Sequence, residues 1–218
     1  MSSQILSSNL VSHNNSRGLI LASSSPRRLQ LLAQINIPVA TVVSPNVEEA
    51  ELSRELPRFY ALRVARSKAL SVADKNQGQY VLAADTVVAC GRRILPKAEQ
   101  LDVARSCLVL LSGRRHRVFT AVVIVSPCSK VVSRIVETRI KFKKLNEDEI
   151  RAYLSTNDWH GKAGGYAIQG VAASFISWIG GSYTNVVGLP LYETRCLLEG
   201  LGWQWNKSED SEIKGSKY

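Results

Sequence analysis

The sequence of 218 residues lacks the features of a membrane protein or of a small disulfide-stabilised protein. No apolar run approaches the roughly 18 residues that cross a bilayer. The Ser- and Asn-rich start, residues 1–18, lacks the apolar segment of a secretory signal. There is no CxxC pair and no histidine at a metal-ligand spacing from a cysteine, so neither disulfides nor a structural zinc site are expected. We predict a cytoplasmic protein whose free cysteines mostly serve as small core residues: Cys90, Cys107, Cys128 and Cys196.

Positive charge is in excess, with 28 Lys and Arg against 18 Asp and Glu and a net charge of +10. A basic surface attracts polyanions, which include nucleic acids and small phosphorylated ligands. The sequence has no block of five Lys or Arg residues and no known nucleic-acid-binding module. The charge alone leaves both classes of partner open.

Hydrophobic patterning predicts an α/β protein with a mixed sheet, in which strands and helices alternate without a strict βαβ repeat. The predicted strands are Leu19–Ala22, Val39–Val43, Tyr80–Cys90, Arg117–Val125, Val131–Phe142 and Ser174–Ile179. The predicted helices are Arg27–Ile35, Pro57–Lys75, Glu99–Leu111, Asn146–Leu154 and Leu189–Leu201, with a turn at Gly91–Arg93, a hairpin turn at Ser126–Lys130 and a glycine-rich loop at Gly161–Gly170. We expect one domain over residues 19–203, a disordered extension at 1–18 and a flexible tail at 204–218.

The turn Ser23–Arg28 is a candidate anion site, because a strand leads into it and a helix leaves it at Pro26. Arg27 and Arg28 lie in the first helical turn, where each cation costs roughly 0.3–1 kcal/mol against the helix dipole. A phosphate bound between these cations and the helix end would remove that cost. The alternative is an ordinary solvated helix start, and the turn alone does not decide between them.

Asp85 interrupts the apolar strand Tyr80–Cys90, where an unpaired carboxylate is costly to bury. A carboxylate at such a point can hold Mg²⁺ or activate a water for attack on phosphorus. The alternative is a structural aspartate in a salt bridge. Thr86 beside it can contact a ligand or simply favour the strand conformation.

Five further side chains could complete a phosphate site, and each has an ordinary alternative. Glu48 and Glu49 are carboxylates in a polar loop that water could equally solvate. Lys68 lies in a predicted helix and Lys97 follows a short apolar pair, and lysines in such places are usually on the surface. Gln169 carries an amide that can read a base edge or face water.

The sequence has no Walker A loop, no G-x-G-x-x-G after a strand, no H-E-x-x-H and no convincing nucleophile–His–Asp order. We interpret His116, in a basic stretch, as structural rather than catalytic. Cations and carboxylates without a covalent nucleophile fit phosphate chemistry by a metal-activated water.

Five blocks occur in one order across about residues 19–202: Leu21–Arg28 (LASSSPRR), Ala84–Val88 (ADTVV), Leu111–Gly113 (LSG) with His116 and Thr120, Gly165–Gly170 (GYAIQG) and Asn185–Pro190 (NVVGLP). In sequence and spacing they resemble the Maf family, the septum-formation-associated nucleoside triphosphate pyrophosphatases. The resemblance implies an α/β fold of two lobes around a long mixed β-sheet, as in Maf and ITPase-like proteins, with the active site in the cleft between the lobes.

The resemblance also implies cleavage of the α–β bond of a nucleoside triphosphate with Mg²⁺ or Mn²⁺. Its proton acceptor falls on Asp85 and its metal-binding carboxylates fall on Glu49 and Asp85. Its substrate-binding and specificity positions fall on Ser23, Arg27, Arg28, Lys68, Thr86, Lys97 and Gln169.

The segment Ile168-Gln169-Gly170 is similar to the branch that acts on dTTP and UTP, since the branch favouring 7-methyl-GTP is serine-rich there. Two local departures are Pro96-Lys97-Ala98 in place of Gly-Lys-Pro, and Glu48-Glu49 in place of Asp-Glu. The resemblance further implies a role in nucleotide-pool cleansing or division arrest, and homodimers are common among relatives. The alternative is a nucleotide- or RNA-binding regulatory module without turnover, which would have no need of Asp85 beside a cationic site.

Overall fold

The computed structural model describes residues 18–204, and the predicted extension and tail lie outside the described residues except for Gly18 and Gln204. The strands are β1 (Leu19–Ala22), β2 (Val39–Val43), β3 (Tyr80–Cys90), β4 (Arg93–Leu95), β5 (Lys97–Ala98), β6 (Arg115–Val125), β7 (Val131–Phe142), β8 (Lys162–Ala163) and β9 (Ile176–Gly180). The helices are α1 (Pro26–Gln34), α2 (Pro57–Ala73), α3 (Leu101–Leu111), α4 (Glu147–Ser155), α5 (Tyr183–Val187) and α6 (Leu191–Gly200), with a 3₁₀ helix at Val171–Phe175.

Seven strands form one mixed sheet in the order β2-β1-β3-β6-β7-β9, with β4 paired to β3. β1 is parallel to β2 and β3, whereas β3, β6, β7 and β9 pair antiparallel. β5 and β8 form a separate two-stranded sheet near α3 and β3. The predicted α/β class with a mixed sheet is confirmed, and so is the long β6–β7 hairpin.

β1 ends well before its neighbour β3, and the site lies just beyond the end of β1. Ala22, the last residue of β1, pairs with Ala83, and β3 continues past it. Asp85 and Thr86 are therefore in the part of β3 beyond the carboxyl end of β1. Ligands of open α/β sheets bind at this end of parallel strands. Because successive strand residues face opposite sides of a sheet, Asp85 and Thr86 reach the site from different faces.

Helix α2 packs closely on one face of the sheet through small side chains. Ala61, Ala65 and Ala69 are fully buried and lie four residues apart, on one side of the helix. The parallel row Val64, Lys68 and Val72 is buried as well. Lys68 therefore lies in the interface between α2 and the sheet, where it faces β3. The opposite face of the sheet is covered by a larger apolar cluster with residues from α1, α3, α4 and α6.

Several predicted boundaries shift and some short elements are new. α3 begins at Leu101 rather than Glu99, and the final helix begins at Leu191 rather than Leu189. The predicted loop Gly161–Gly170 contains β8, which is held by pairing with β5. The one-turn helix α5 was not predicted, because Tyr183–Val187 is mostly β-branched and only the Ser182 cap marks its start.

The four cysteines are free, as expected, but the prediction that most are core residues is wrong. Cys107 is buried and Cys90 is intermediate, whereas Cys128 and Cys196 are exposed. Cys128 lies in the turn of the β6–β7 hairpin, and Cys196 lies on the outer side of α6. Within residues 18–204, the helices are too short or too polar to cross a membrane.

Candidate active site

A cavity of about 410 Å³ opens at the carboxyl end of β1. Its walls come from the serine turn, from β3, from the lysine of β5, from residues 160–163 and 166–169, and from residues 186–188 before α6. This volume is typical of small-molecule sites. All nine side chains assigned above to substrate or metal line it, although their roles remain predictions: Ser23, Arg27, Arg28, Glu49, Lys68, Asp85, Thr86, Lys97 and Gln169.

One buried ammonium group joins the two predicted metal-binding carboxylates. Lys68 Nζ lies 2.7 Å from Asp85 Oδ1 and 2.8 Å from Glu49 Oε1. Lys68 is 6% exposed and Asp85 is 4% exposed, so the interpretation of Lys68 as a surface lysine is wrong. Asp85 forms a salt bridge, as the alternative interpretation of a structural aspartate predicted. However, it also lines the cavity, and its Oδ2 accepts no hydrogen bond from residues 18–204.

Glu49 reaches this pair from the polar loop between β2 and α2. Its Oε2 forms a second ion pair, with Lys97 Nζ at 3.0 Å. Burial raises the pKa of the Glu49 carboxyl, but the hydrogen bonds and charges of Lys68 and Lys97 outweigh it, so this pKa lies below its usual value. The Tyr60 hydroxyl donates to the Glu49 backbone carbonyl at 2.7 Å and anchors the loop. Glu49 is thus an ionised carboxylate held at the cavity wall.

The two adjacent arginines of the serine turn are not equivalent. Arg28 is 8% exposed, and burial lowers the pKa of its guanidinium. It donates to Gly188 O at 2.9 Å, to Ser23 Oγ at 3.0 Å and to Thr86 Oγ1 at 3.3 Å. Arg28 therefore ties the serine turn to β3 and to the turn before α6. If Arg28 also binds phosphate, as the family resemblance implies, it does so while keeping these three hydrogen bonds.

Arg27 is the arginine left for a ligand. Its guanidinium has no hydrogen bond and no ion pair within the part of the chain that the structure describes. It is half-buried, and this burial lowers its pKa. An unpaired, partly desolvated cation at a helix N-terminus is stabilised when an anion binds there.

Ser23, rather than the N-cap residue Ser25, supplies the side-chain hydrogen bond that shapes the turn. Ser25 is the N-cap residue of α1, but its side chain caps nothing. Its backbone N–H instead donates to Ser23 Oγ at 3.1 Å. Since Ser23 Oγ already accepts from Ser25 and Arg28, its own proton is left to donate into the cavity.

Lys162 is a further cation that sequence reasoning missed. It lies in β8, which pairs with β5 so that Ala98 is opposite Lys162 and Lys97 is opposite Ala163. Burial, and then the nearby charge of Arg27, lower the pKa of Lys162. Its place two residues before Gly164-Gly165 was the available signal, but only the pairing of two distant two-residue strands brings it to the cavity.

The glycine-rich segment 164–170 contributes residues 166–169 to the cavity wall. Gln169 is exposed to the cavity, and its amide has no hydrogen-bond partner among residues 18–204. Tyr166 and Ile168 are buried, so this segment is packed rather than freely mobile. His116, interpreted as structural, is buried behind it and contacts the Tyr166 hydroxyl.

Residues 18–204 contain no group of three or more His, Cys, Asp or Glu side chains placed to hold a metal ion. The two converging carboxylates, Glu49 and Asp85, do fit a hard divalent cation, because they already share one cation, Lys68 Nζ. Mg²⁺ is usually held by one or two protein carboxylates, with waters and substrate phosphates as the other ligands.

Comparison with known proteins gives the family of this chain. The profile of the Maf-like protein family matches residues 18–201. The dTTP/UTP pyrophosphatase of Rhodospirillum rubrum is 53% identical over 186 residues, covering 85% of this chain and 89% of that protein. The dTTP/UTP pyrophosphatase of Paramagnetospirillum magneticum is 54% identical over 185 residues, covering 85% of this chain and 97% of that protein.

Among solved structures, the Ham1 protein of Staphylococcus aureus aligns with a TM-score of 0.48 at 12% identity, over 84% of this chain and 98% of that one. This structural likeness is weak and carries no part of the assignment, which rests on the profile and on the sequence relatives. The chain belongs to the Maf-like protein family.

Proposed function

We propose that this chain hydrolyses nucleoside triphosphates, with dTTP and UTP preferred, to the nucleoside monophosphate and pyrophosphate. One observation carries the proposal: a single cavity holds the cations Arg27, Lys97 and Lys162 together with Asp85, a buried carboxylate with one unbonded oxygen. The names of the relatives support the same activity and the same bases. The proposal includes a cytoplasmic location, a part in nucleotide-pool cleansing or division arrest, and a homodimer, all from the family resemblance.

The serine turn is suited to bind the phosphate chain. Ser23 has a free hydroxyl proton and Arg27 has a free guanidinium, and both lie at the N-terminus of α1. Lys97 and Lys162 approach from the two-stranded sheet. Ser23 is held by its hydrogen bonds before the substrate arrives, and the positive charges of Arg27, Lys97 and Lys162 stabilise the charge that develops on the departing pyrophosphate.

In the reaction, the oxygen of a water attacks the α-phosphorus, and the bond from that phosphorus to the bridging oxygen breaks. The proton of the water passes to Asp85 Oδ2, and the bridging electron pair leaves with pyrophosphate. Lys68 stays on Oδ1 and keeps the carboxylate in one orientation. A carboxylate that accepts a proton from the nucleophile contributes roughly 10²- to 10⁴-fold to such reactions.

Glu49 and Asp85, the two carboxylates that converge at the cavity wall, are the side chains that would hold the divalent cation, Mg²⁺ or Mn²⁺. When bound, such an ion supplies positive charge to the phosphate oxygens and lowers the pKa of a coordinated water.

Product analysis tests the proposal directly. The full chain is incubated with Mg²⁺ and dTTP or UTP, and nucleotides and phosphates are separated by anion-exchange chromatography. We expect equal amounts of monophosphate and pyrophosphate. Direct release of orthophosphate would contradict the mechanism. An absence of hydrolysis combined with tight, steeply salt-dependent RNA binding would favour the binding module instead.

The base preference is expected to depend on Gln169. Its amide has no partner among residues 18–204 and is free to pair with the edge of a pyrimidine. Gln169→Ala should lower kcat/KM for dTTP and UTP about fivefold to tenfold, the value of one hydrogen bond. The kcat/KM for dGTP should change less than about twofold, since the phosphate contacts are intact. An equal loss for all three nucleotides would show that Gln169 does not read the base.

A further inference from the structure

A buried hydrogen bond lies directly behind the glycine-rich segment. His116 Nε2 on β6 is 2.9 Å from the Tyr166 hydroxyl, and the two residues are 2% and 5% exposed. Both rings pack edge-to-face on Phe142, with centroid distances of 5.1 and 5.0 Å. Tyr166 is thereby joined to the central sheet through one polar contact within an aromatic cluster.

This polar contact is not the most stable way to fill the space. The second ring nitrogen, His116 Nδ1, is buried and has no hydrogen-bond partner in the described part of the chain. Burial lowers the pKa of His116 to about 4, so the ring is neutral near pH 7. In either neutral tautomer, one nitrogen is left without a partner. Apolar rings at both positions would avoid this cost and would leave no unpaired Tyr166 hydroxyl, so stability alone does not explain the pair.

Tyr166 is also the point from which the segment enters the cavity. At Gly165, which has φ +68°, an added Cβ would lie 3.1 Å from Ala104 Cα, so the backbone rests directly on α3. After Tyr166 the backbone N–H of Ala167 donates to the Tyr153 hydroxyl at 3.2 Å. Gln169 then follows without a hydrogen bond of its own. The position of Gln169 is therefore set by the backbone on either side of it: by Tyr166 and Ala167 before it, and by Gly170 and Val171, whose N–H groups donate to Ala167 O and Asp158 Oδ2, after it.

We propose that His116 and Tyr166 are positioning residues for nucleobase recognition: their hydrogen bond fixes the glycine-rich segment so that the Gln169 amide meets the base. This inference rests on the proposed function, in which Gln169 contacts the pyrimidine. Neither residue needs to touch the phosphates or the attacking water. Loss of the hydrogen bond should therefore weaken binding and base discrimination while leaving the chemical step intact.

Tyr166→Phe tests this most directly, because it removes one hydroxyl and keeps the ring that packs on Phe142. We expect KM for dTTP and UTP to rise roughly threefold to tenfold, as for loss of one neutral hydrogen bond. The kcat should stay within about twofold, and the preference over dGTP should fall. Tyr80→Phe is the matched control, since its 5%-exposed hydroxyl donates to Leu201 O far from the loop. It should leave both constants unchanged.

The double variant His116→Phe/Tyr166→Phe separates positioning from packing. It removes both polar groups, so we expect its Tm to equal or exceed that of Tyr166→Phe, in which the imidazole is left without any partner. If the pair positions the segment, KM stays raised even when Tm recovers. If KM returns to the wild-type value together with Tm, the pair serves only to pack the core, and the proposal is wrong.

The same measurements distinguish this inference from the proposed function. A wild-type protein that does not convert dTTP would overturn both. A Gln169→Ala variant with unchanged base preference would overturn the positioning role but not the hydrolysis. A wild-type enzyme with a working Gln169, whose Tyr166→Phe variant keeps the wild-type KM and base preference, would overturn the positioning role alone.

Discussion

Replacing Asp85 with asparagine is expected to lower kcat/KM for dTTP by about 10²- to 10⁴-fold, the usual contribution of a general base. Asparagine keeps the size of the side chain and can still accept a hydrogen bond from Lys68, but it cannot take a proton from water. Because Arg27, Lys97 and Lys162 are unchanged, the phosphate chain should still bind. Initial-rate kinetics, together with calorimetric titration of a dTTP analogue that cannot be hydrolysed at the α–β bond, would measure the two effects separately.

Asp74→Asn provides the matched control for this experiment. Asp74 is exposed at the carboxyl end of α2 and is outside the cavity, so the same chemical change should leave turnover unchanged. Turnover of Asp85→Asn within about threefold of the wild type would exclude Asp85 as the proton acceptor. A thermal melt close to that of the wild type would show that lost activity does not come from unfolding.

Lys68→Met is expected to lower the free energy of unfolding at pH 7 by about 3–5 kcal/mol, as when one partner of a buried ion pair is removed. The Asp85 carboxylate, whose side chain is 5% exposed, would be left without its ammonium partner. Glu49 is less affected, since its side chain is 35% exposed and keeps Lys97. Denaturant unfolding with circular dichroism measures this loss.

The double variant Lys68→Met/Asp85→Asn should recover much of the lost stability, because no uncompensated charge then remains in the interface between α2 and the sheet. Lys97→Met is the control. It breaks an ion pair in which the lysine side chain is 52% exposed, and such pairs contribute about 0–1 kcal/mol. Strictly additive losses from Lys68→Met and Asp85→Asn would contradict a coupled buried pair.

Local signals were sufficient to predict much of this fold. The apolar run Leu19–Ala22 followed by Ser-Pro predicted β1 and the start of α1, and the turn residues Ser126–Lys130 predicted the hairpin. Asn146 and Glu149 form a capping box at the start of α4, and this signal lies within four residues. Elements of this kind are determined by neighbours in the chain, so a single sequence contains the information.

The features that were missed depend on residues far apart in sequence. The burial of Lys68 follows from Ala-rich packing of α2 on the sheet and from Asp85 on β3, neither of which a helical lysine reveals. Arg27 and Arg28 are equivalent in the sequence, and what separates their roles is the set of acceptors that Arg28 finds at Ser23, Thr86 and Gly188. Lys162 reaches the cavity through pairing of two-residue strands, which have no pattern of their own.

The hydrogen bond from Arg28 to Gly188 also affects when the site can form during synthesis. It joins residues 160 positions apart, and the same guanidinium holds the serine turn and Thr86. Chains are made from the N-terminus and non-local contacts form late. The serine turn therefore leaves the ribosome long before its acceptor exists. A nascent chain that has not reached Gly188 has every predicted site side chain but lacks the bond that joins the serine turn to the segment before α6, so full nucleotide binding should appear only near the end of translation.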